Sequence, residues 1–319
     1  AWDFDGDGGF DLVGTQYATV EWTYETFGHF DVRLVATTAG GKSAEFTYPS
    51  CTGVGSSTVY MDAANAANAK WPYASWETAA ADINEAYDTI LWVDGVKTTM
   101  YVTNGTYDVK TKWLQITKPF ALVGVGDPAK TILRARNTEA TNKRRVIWLN
   151  NAEASVSGIT MRDGDWQGYS YGDYGPGNLR LTEGTVSNCL ITAGNGSVEC
   201  CGGVEILGGL LTHSRIFAND ADFGGSNWST GYGGGIRIKG GTVEYCVISN
   251  NTSVGTGIGV YQEGGTNRFN RICKNTNSGR SCAGVYISNG LMEGCEIDGN
   301  TGADSTVSPA ELTSTAFAT

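Results

Sequence analysis

The sequence predicts an all-β fold whose main part is a right-handed parallel β-helix, and two observations support that prediction. One motif recurs five times between Asn178 and Asn300, in copies that start 25, 32, 24 and 25 residues apart. Each copy holds two short runs of alternating apolar residues separated by glycine, without a helical period. Repeats of this length are typical of solenoids, in which every coil buries its apolar row on the next. Strand twist and the crossover rule favour a right-handed coil.

The constant spacing within each copy predicts which residues stack on one another. One inward column is expected to contain Ile191, Ile216, Ile248, Ile272 and Ile297. A second inward column is expected to contain Cys189, Ser214, Cys246, Asn270 and Cys295. An asparagine ladder is expected at a turn, formed by Asn219, Asn251, Asn275 and Asn300. There each side-chain amide can bond the coils above and below it.

The composition excludes several classes of partner. Charged residues make up only 17% of the 319 residues, and the net charge is −11. This balance disfavours nucleic acid and offers no basic surface to anionic lipid. No apolar run approaches the length of a membrane span, so membrane insertion is not expected. No signal peptide is visible, and the chain opens within what reads as a domain, so we expect a processed or partial product.

Residues 1–50 read as a partial β-sandwich. They contain the turn Trp2–Gly8, an alternating strand after Gly28 and a Gly-Gly hairpin at 40–41. These features, with Trp22-Thr23-Tyr24, resemble the PKD domain, an immunoglobulin-like sandwich of extracellular proteins. The two strands that would precede Trp2 in that family are absent, so half a sandwich is expected to expose its core and strand edges. Residues 51–62 are predicted to be a linker.

Residues 63–300 are predicted to form the β-helix, capped by an amphipathic helix over about 76–89 that Ser75 would begin. The stretch from Tyr60 to Asn300 resembles the pectin-lyase-like β-helix proteins of bacterial surfaces. The resemblance rests on the repeated motif and on four shorter stretches: residues 60–65, residues 75–79, Asn104-Gly105-Thr106-Tyr107 and residues 123–128. That fold hosts lyases, hydrolases, adhesins and spacers, so it implies little about function. Residues 301–319 read as a tail or the start of a further unit.

The first turn is a candidate calcium site. Its acidic residues are Asp3, Asp5, Asp7 and Asp11, and the D-x-D-x-D-G start matches the beginning of an EF-hand loop. The twelfth position, however, is Gly14 rather than an acidic residue. The alternative is an acidic turn without an ion.

The eight cysteines suggest different roles. Cys189, Cys246 and Cys295, at the inward small-residue position, are expected to be buried free thiols. Cys273 and Cys282 flank a loop and are a candidate disulfide, which would suit an oxidising setting outside the cell. Cys200 and Cys201 are adjacent in a loop. Zinc is not expected, because the chain lacks a Cys-x-x-Cys motif and has two histidines.

Two long segments, 163–177 and 220–234, leave the coil at the same turn and are expected to lie two coils, about 10 Å, apart on one edge. They combine acidic with aromatic residues, which suits sugar stacking or packing on a partner; the alternative is no role. Their candidate residues are Asp163, Asp165, Trp166, Tyr169, Tyr171, Asp173, Tyr174, Asp220, Asp222, Trp228 and Tyr232.

Beside that edge runs an outward column, predicted to pair and stack in the order Arg180, Glu205, Arg237, Tyr261 and Tyr286. In polysaccharide lyases of this fold, the resemblance implies, a Lys or Arg base works beside calcium held by acidic groups. Arg180 or Arg237 with Asp163, Asp165 or Asp220 would fill those roles here. No catalytic motif of the family matches residue by residue, so no catalytic residue is carried over.

The sequence therefore predicts a non-catalytic extracellular surface or fibre protein, structural or adhesive in role. Self-association by strand exchange, or association with other surface proteins, is the expected mode of partnership. The first alternative is a polysaccharide lyase or glycoside hydrolase acting at the loop-lined edge. The second is a glycan-binding module for extracellular polysaccharide. No cofactor is expected, apart from calcium.

Overall fold

The computed structural model describes residues 1–110, 113–135, 145–166, 175–196, 200–221, 231–277, 282–302 and 316–317. It is 44% strand and 3% helix, which confirms the predicted all-β class. Three long parallel sheets, here called sheets 1, 2 and 3, contain seven, nine and nine strands. From Thr98 to Asp298 the chain contributes one strand to sheets 2, 3 and 1 in turn, so this part of the chain is a parallel β-helix, as predicted.

The strands of each sheet are hydrogen-bonded in register between successive coils. Sheet 1 consists of Leu114–Ile116, Ile147–Leu149, Leu179–Leu181, Val204–Ile206, Ile236–Ile238, Val260–Gln262 and Val285–Ile287. Sheet 2 consists of Thr58–Met61, Thr98–Val102, Phe120–Gly124, Ser155–Ser157, Thr185–Ser187, Leu210–Thr212, Thr242–Glu244, Thr266–Arg268 and Leu291–Glu293. Sheet 3 consists of Gly105–Val109, Thr131–Ala135, Thr160–Arg162, Leu190–Thr192, Arg215–Phe217, Val247–Ser249, Arg271–Cys273, Glu296–Asp298 and Ala316–Phe317. A two-stranded pair, Thr252–Ser253 with Thr276–Asn277, lies beside them.

The predicted inward columns are confirmed by the register of sheet 3. Ile191 pairs with Ile216, Ile216 with Ile248, Ile248 with Ile272, and Ile272 with Ile297. All five side chains are buried. The small-residue column lies next to them and is hydrogen-bonded from coil to coil, since the Cys246 amide donates to Oδ1 of Asn270 at 2.7 Å. The core is thus a stack of identical rows that runs along the coil axis.

The asparagine ladder is also confirmed. Nδ2 of Asn219 donates to Oδ1 of Asn251 at 3.0 Å, and Asn251 donates to Asn275 in the same way at 2.9 Å. Asn275 continues the chain to Asn300 at 2.9 Å. Each amide also donates to a backbone carbonyl, as Asn251 does to Ile216 at 3.1 Å. The ladder therefore satisfies buried polar groups at a turn that water does not reach.

The turn glycines of the motif keep neighbouring coils close together. Gly241 has φ 68°, and a Cβ there would lie 2.6 Å from the carbonyl oxygen of Gly209 in the preceding coil. Gly265 repeats this relationship with Gly241, also at 2.6 Å. Any side chain would collide with backbone in a left-handed conformation that favours glycine. This contact explains why every copy carries glycine at this position.

The cap helix is shorter than predicted, spanning Ile83–Asp88 instead of about 76–89. Asp82 caps it, because its Oδ1 accepts from the amides of Asn84 and Glu85 at 2.9 and 3.3 Å. Residues 75–78 form bends and turns, and Ala80 is held by a bridge in which its amide donates to the Tyr60 carbonyl at 2.9 Å. Buried Ile83 packs into the core at this end of the coil. Within the described residues, no helix has the length and apolar character needed to cross a membrane.

The N-terminal region is a three-stranded antiparallel sheet of Trp2–Asp3, Gly28–Thr37 and Ser43–Val54. A 3₁₀ turn, Thr15–Tyr17, lies between the first two strands. The edge strand is largely exposed on both faces; Phe46 and Tyr48 are 53% and 58% exposed. Among the described residues, this strand therefore exposes apolar side chains and has no partner strand on its outer edge. Strands Ser43–Val54 and Thr58–Met61 occupy most of the segment predicted as a linker.

Candidate functional site

The outward column of sheet 1 is assembled as its spacing predicts. Arg180 lies opposite Glu205, Glu205 opposite Arg237, Arg237 opposite Tyr261, and Tyr261 opposite Tyr286. Alternate residues of the same strands, such as Leu179 and Leu181, are fully buried in the core. The period of two along each strand thus fixes the column on the outer face.

Glu205 is the electrostatic centre of this column. Its side chain is buried, yet Nε of Arg180 donates to Oε2 at 2.8 Å and Nζ of Lys239 donates to Oε1 at 3.2 Å. Burial by itself raises the pKa of the Glu205 carboxyl, but the two cations outweigh burial and hold that pKa below its ordinary value. The Glu205 carboxylate is therefore charged, and it links Arg180 of the preceding coil to Lys239 of the following coil.

Arg237 is fixed by a carboxylate in the next coil. Nε and one terminal nitrogen donate to the two oxygens of Glu263 at 2.7 and 3.1 Å, a bidentate pair. The guanidinium also lies over the rings of Tyr232 and Tyr261, 5.0 and 5.7 Å from their centroids. Burial opposes the charge, but the hydrogen bond and charge of Glu263 raise the pKa of Arg237 above its ordinary value. This arginine is thus poorly suited to act as a base.

The tyrosines of this edge stack on one another. The ring centroids of Tyr232 and Tyr261 are 4.6 Å apart, and those of Tyr261 and Tyr286 are 4.9 Å apart with planes inclined by 10°. Burial raises the pKa of Tyr261 to about 12. Tyr261 thus packs against two other tyrosine rings, which leaves less of its ring open to a ligand than an isolated tyrosine would offer.

The acidic candidates of the two long segments lie close to the coil itself. Asp165 pairs with Asn195 through a backbone bridge, and Asn195 pairs in turn with Asp220, so these positions stack over three coils. Asp163 forms an ion pair with Arg162 at 2.9 Å. In the part of the chain with described coordinates, Asp163, Asp165 and Asp220 belong to no group of three or more acidic, histidine or cysteine side chains close enough to share a cation. The acid cluster predicted for a lyase is therefore not formed by these three aspartates.

Trp166 is buried rather than presented to solvent. It is 5% exposed; its ring packs edge-to-face on Trp113, with centroids 5.1 Å apart, and lies 4.2 Å from the guanidinium carbon of Arg145. Arg145 is itself 2% exposed and lies over Trp113 as well, at 5.0 Å. This cation–aromatic cluster was missed by sequence reasoning, because Trp113 and Arg145 belong to irregular coils outside the repeated motif. The remaining candidates, Tyr169, Tyr171, Asp173, Tyr174, Asp222 and Trp228, lie outside the described residues.

The N-terminal acidic turn brings together Asp3, Asp5 and Asp11, each with a carboxylate oxygen within 4.8 Å of the others, whereas Asp7 is not in that group. Asp3 is buried and already accepts the amides of Gly6 and Gly8 at 2.8 and 3.2 Å. It also accepts from Nε of Arg33 at 3.1 Å. Both Asp3 oxygens are therefore shared with backbone amides and with Arg33. Three of the four predicted carboxylates converge here, and calcium at this turn stays a prediction.

The predicted Cys273–Cys282 disulfide is wrong for this structure, in which both residues are free thiols. Cys273 lies in sheet 3, paired with Ser249 and Asp298. Cys282 lies near the start of a sheet 1 strand, and its thiol donates to the Val285 carbonyl at 2.9 Å. Closeness along the chain misled the prediction, because Cys273 lies in a sheet 3 strand, whereas Cys282 precedes the next sheet 1 strand and its thiol bonds to that strand's backbone.

A second aromatic stack, also missed from the sequence, runs along the turn between sheets 2 and 3. His213, Tyr245 and Phe269 are exposed and have left-handed backbones, with φ of 48°, 52° and 54°. Their ring centroids are 5.2 and 5.4 Å apart. Their positions in the repeat could have revealed this stack, because each of the three residues comes directly before a member of the small-residue column. These rings also cover one another's faces.

Comparison of the chain with protein-family models, with curated proteins and with solved structures found no match. The fold assignment therefore rests on strand order and register, and the function is argued from the residues of this chain.

Proposed function

We propose that this protein is a non-catalytic structural element of an extracellular surface or fibre. The observation that carries the proposal is the closed charge network of the outward column. Glu205 is shared by Arg180 and Lys239, and Arg237 donates from two of its three guanidinium nitrogens to Glu263. These groups stabilise contacts between coils, whereas a catalytic base has to exchange a proton with its substrate.

The architecture also supports a mechanical role, because other contacts between coils repeat along the axis. Within the repeated motif, successive coils are joined by three strand ladders and a buried isoleucine row, and the last four of these coils also by the asparagine ladder. Contacts repeat about every 4.8 Å along the axis, so the coil resists bending as a unit. We further propose that the coil is of the pectin-lyase-like kind and that the N-terminal sheet is a partial PKD-like unit, on the motifs that resemble those families.

The lyase or hydrolase alternative has a direct test. The protein is incubated with uronate polymers, with and without calcium, and ultraviolet absorbance follows new unsaturated chain ends, while a reducing-end assay follows hydrolysis. We expect no increase in either signal. Product formation that disappears on Arg237→Lys or Arg180→Lys would replace the structural proposal with an enzymatic one.

The glycan-binding alternative is weakened by the burial of Trp166 and by the mutual stacking of Tyr232, Tyr261 and Tyr286. Sugar recognition by aromatic residues generally uses an open ring face. A glycan array tests this alternative. Binding that is lost in Trp228→Ala, while the far-ultraviolet spectrum is unchanged, would favour a lectin-like role instead.

Self-association is proposed to use the exposed edge strand Ser43–Val54, because a long edge with free backbone groups is a template for another strand. Electron microscopy of the purified chain is expected to show rods joined end to end. Tyr48→Lys places a charge on this edge and is expected to leave single rods. Leu207→Lys, at a 38% exposed residue of the coil, is the matched control and should still assemble. Assembly that persists unchanged in Tyr48→Lys would exclude this edge.

A further inference from the structure

Cys200 and Cys201 are adjacent in the chain and fully buried, and their sulfur atoms are 3.7 Å apart. Side chains of successive residues in an extended strand point to opposite faces. The short sulfur–sulfur distance therefore means that the backbone departs from strand geometry here and turns both thiols into one space. In the described portion of the chain, no other pair of cysteine sulfurs lies within hydrogen-bonding distance.

The coils on either side hold this pair in place. The Tyr232 amide of the following coil donates to the Cys200 carbonyl at 2.9 Å, and the Gly177 amide of the preceding coil donates to the Cys201 carbonyl at 3.3 Å. Gly196 leaves room for the arrangement, because a Cβ there would lie 2.0 Å from the Cys201 oxygen. The other buried cysteines differ, since Cys189 and Cys246 are separated in their column by the coil of Ser214.

We propose that Cys200 and Cys201 form a redox modification site that closes to a vicinal disulfide by exchange with a low-molecular-weight disulfide such as oxidised glutathione. One cysteine thiolate attacks a sulfur of the reagent, releases one glutathione thiolate and becomes a mixed disulfide. The second cysteine thiolate then attacks the cysteine sulfur of this mixed disulfide and releases the other glutathione as a thiolate. Two S–H bonds of the protein are replaced by one S–S bond, and the reagent is reduced to two thiols.

Adjacency determines the character of this bond. The α-carbons of neighbouring residues are about 3.8 Å apart, less than the separation of about 5.5–6 Å found in most disulfides. Such a bond is strained, and strained disulfides are readily reduced, so the site is reversible rather than a permanent cross-link. Burial raises the pKa of the Cys201 thiol well above its ordinary value, although the charge of Arg237 opposes this effect. Exchange is therefore slow in the closed coil and faster while the segment is open.

The test measures the oxidation state of the pair in the full-length chain. The protein is equilibrated with defined ratios of oxidised to reduced glutathione, once folded and once during refolding from urea. It is then acid-quenched, denatured, alkylated and digested with trypsin. One tryptic peptide, residues 181–215, contains Cys189, Cys200 and Cys201. We expect this peptide to lose two hydrogen atoms and to carry an alkyl group on Cys189 alone, and we expect added dithiothreitol to restore three alkyl groups.

Two internal controls make the result decisive. Exposed Cys51 must form a mixed disulfide with glutathione, which shows that the reagent is active. Cys189 must stay a thiol, which shows that oxidation requires a neighbouring sulfur. The proposal is overturned if Cys200 and Cys201 are both alkylated at every ratio, including during refolding, while Cys51 is glutathionylated. It is equally overturned if glutathione stays on either cysteine of the pair without ring closure.

Discussion

The side-chain amide of Asn178 donates to Oδ1 of Asn219 at 3.1 Å, although Asn178 does not occupy the ladder position of its own coil. In the next copy the ladder residue Asn219 follows the first glycine, Gly203, by 16 residues; 16 residues after Asn178 lies Gly194. A Cβ at Gly194 would be 2.4 Å from Nδ2 of Asn178. Asn178 thus supplies, from the opposite end of the motif, the amide that Gly194 lacks.

Asn178→Ala is expected to destabilise the chain by about 2–4 kcal/mol, because it leaves the amide of Gly164 and the carbonyl of Thr192 without their buried partner. Urea unfolding followed by circular dichroism measures the change. Asn289→Ala is the control, since Asn289 is exposed and accepts from the amide of the adjacent Gly290; a change below about 0.5 kcal/mol is expected there. Equal effects of the two substitutions would contradict a ladder role for Asn178.

Ile248→Ala tests the inward column. Ile248 is fully buried between Ile216 and Ile272, so the substitution leaves a cavity and should cost about 2–5 kcal/mol of unfolding free energy. Val247→Ala on the same strand is the control, because Val247 faces outward and is half-buried. Its expected cost is below about 1 kcal/mol. A larger loss at Val247 than at Ile248 would mean that the strand faces are assigned the wrong way round.

Glu205→Gln tests the charge network through its pH dependence. The folded-state pKa of Glu205 lies below its ordinary value of 4.5, so its stabilisation is fully present above that value and is lost as the pH falls through the folded pKa. At neutral pH the variant is expected to be less stable by about 2–4 kcal/mol. The difference should shrink in acid, where wild-type Glu205 becomes neutral too. Exposed Glu183→Gln is the control and should show little difference at any pH; a gap at Glu205 that widens in acid would refute the assignment.

The thiols provide a prediction about reactivity. Burial raises the pKa of both Cys189 and Cys246 to about 12, so neither forms an appreciable thiolate at about pH 8. A thiol reagent added to the folded protein is therefore expected to modify Cys51 rapidly, and Cys51→Ser should abolish the fast phase. Unfolding in urea should expose the remaining thiols. Rapid labelling of Cys189 or Cys246 in the folded chain would show that the small-residue column is accessible.

The sequence could predict the repeated part of the fold because its spacing is constant. Ile216 and Ile248 stack for the same reason that Arg180, Glu205 and Arg237 line up, because a strand period of two and a constant spacing within each copy determine both. The participation of Asn178 in the ladder could not be read from the motif, because it stands at a different position and reaches the ladder through space.

Other features depend on contacts between segments distant in sequence. The helix begins at Ile83 rather than near Trp76 because Ala80 pairs with the strand at Tyr60, an interaction that the helical spacing of 76–90 does not reveal. Trp166 was predicted to be a surface residue because its neighbours in sequence are polar. In the structure it is buried against Arg145 and Trp113. Local pattern fixes periodic elements, whereas a loop residue's environment is decided by the coils it folds onto.

The glycine contacts between Gly209, Gly241 and Gly265 have an evolutionary consequence. The surface by which each coil contacts the next coil matches the surface by which it is contacted by the previous one. A duplication or deletion of one complete copy would therefore rejoin matching surfaces, whereas the loss of a few residues within a copy would shift every later row. Chain length in such a molecule can change in whole turns, and the excursions between copies can vary in size without altering the stack.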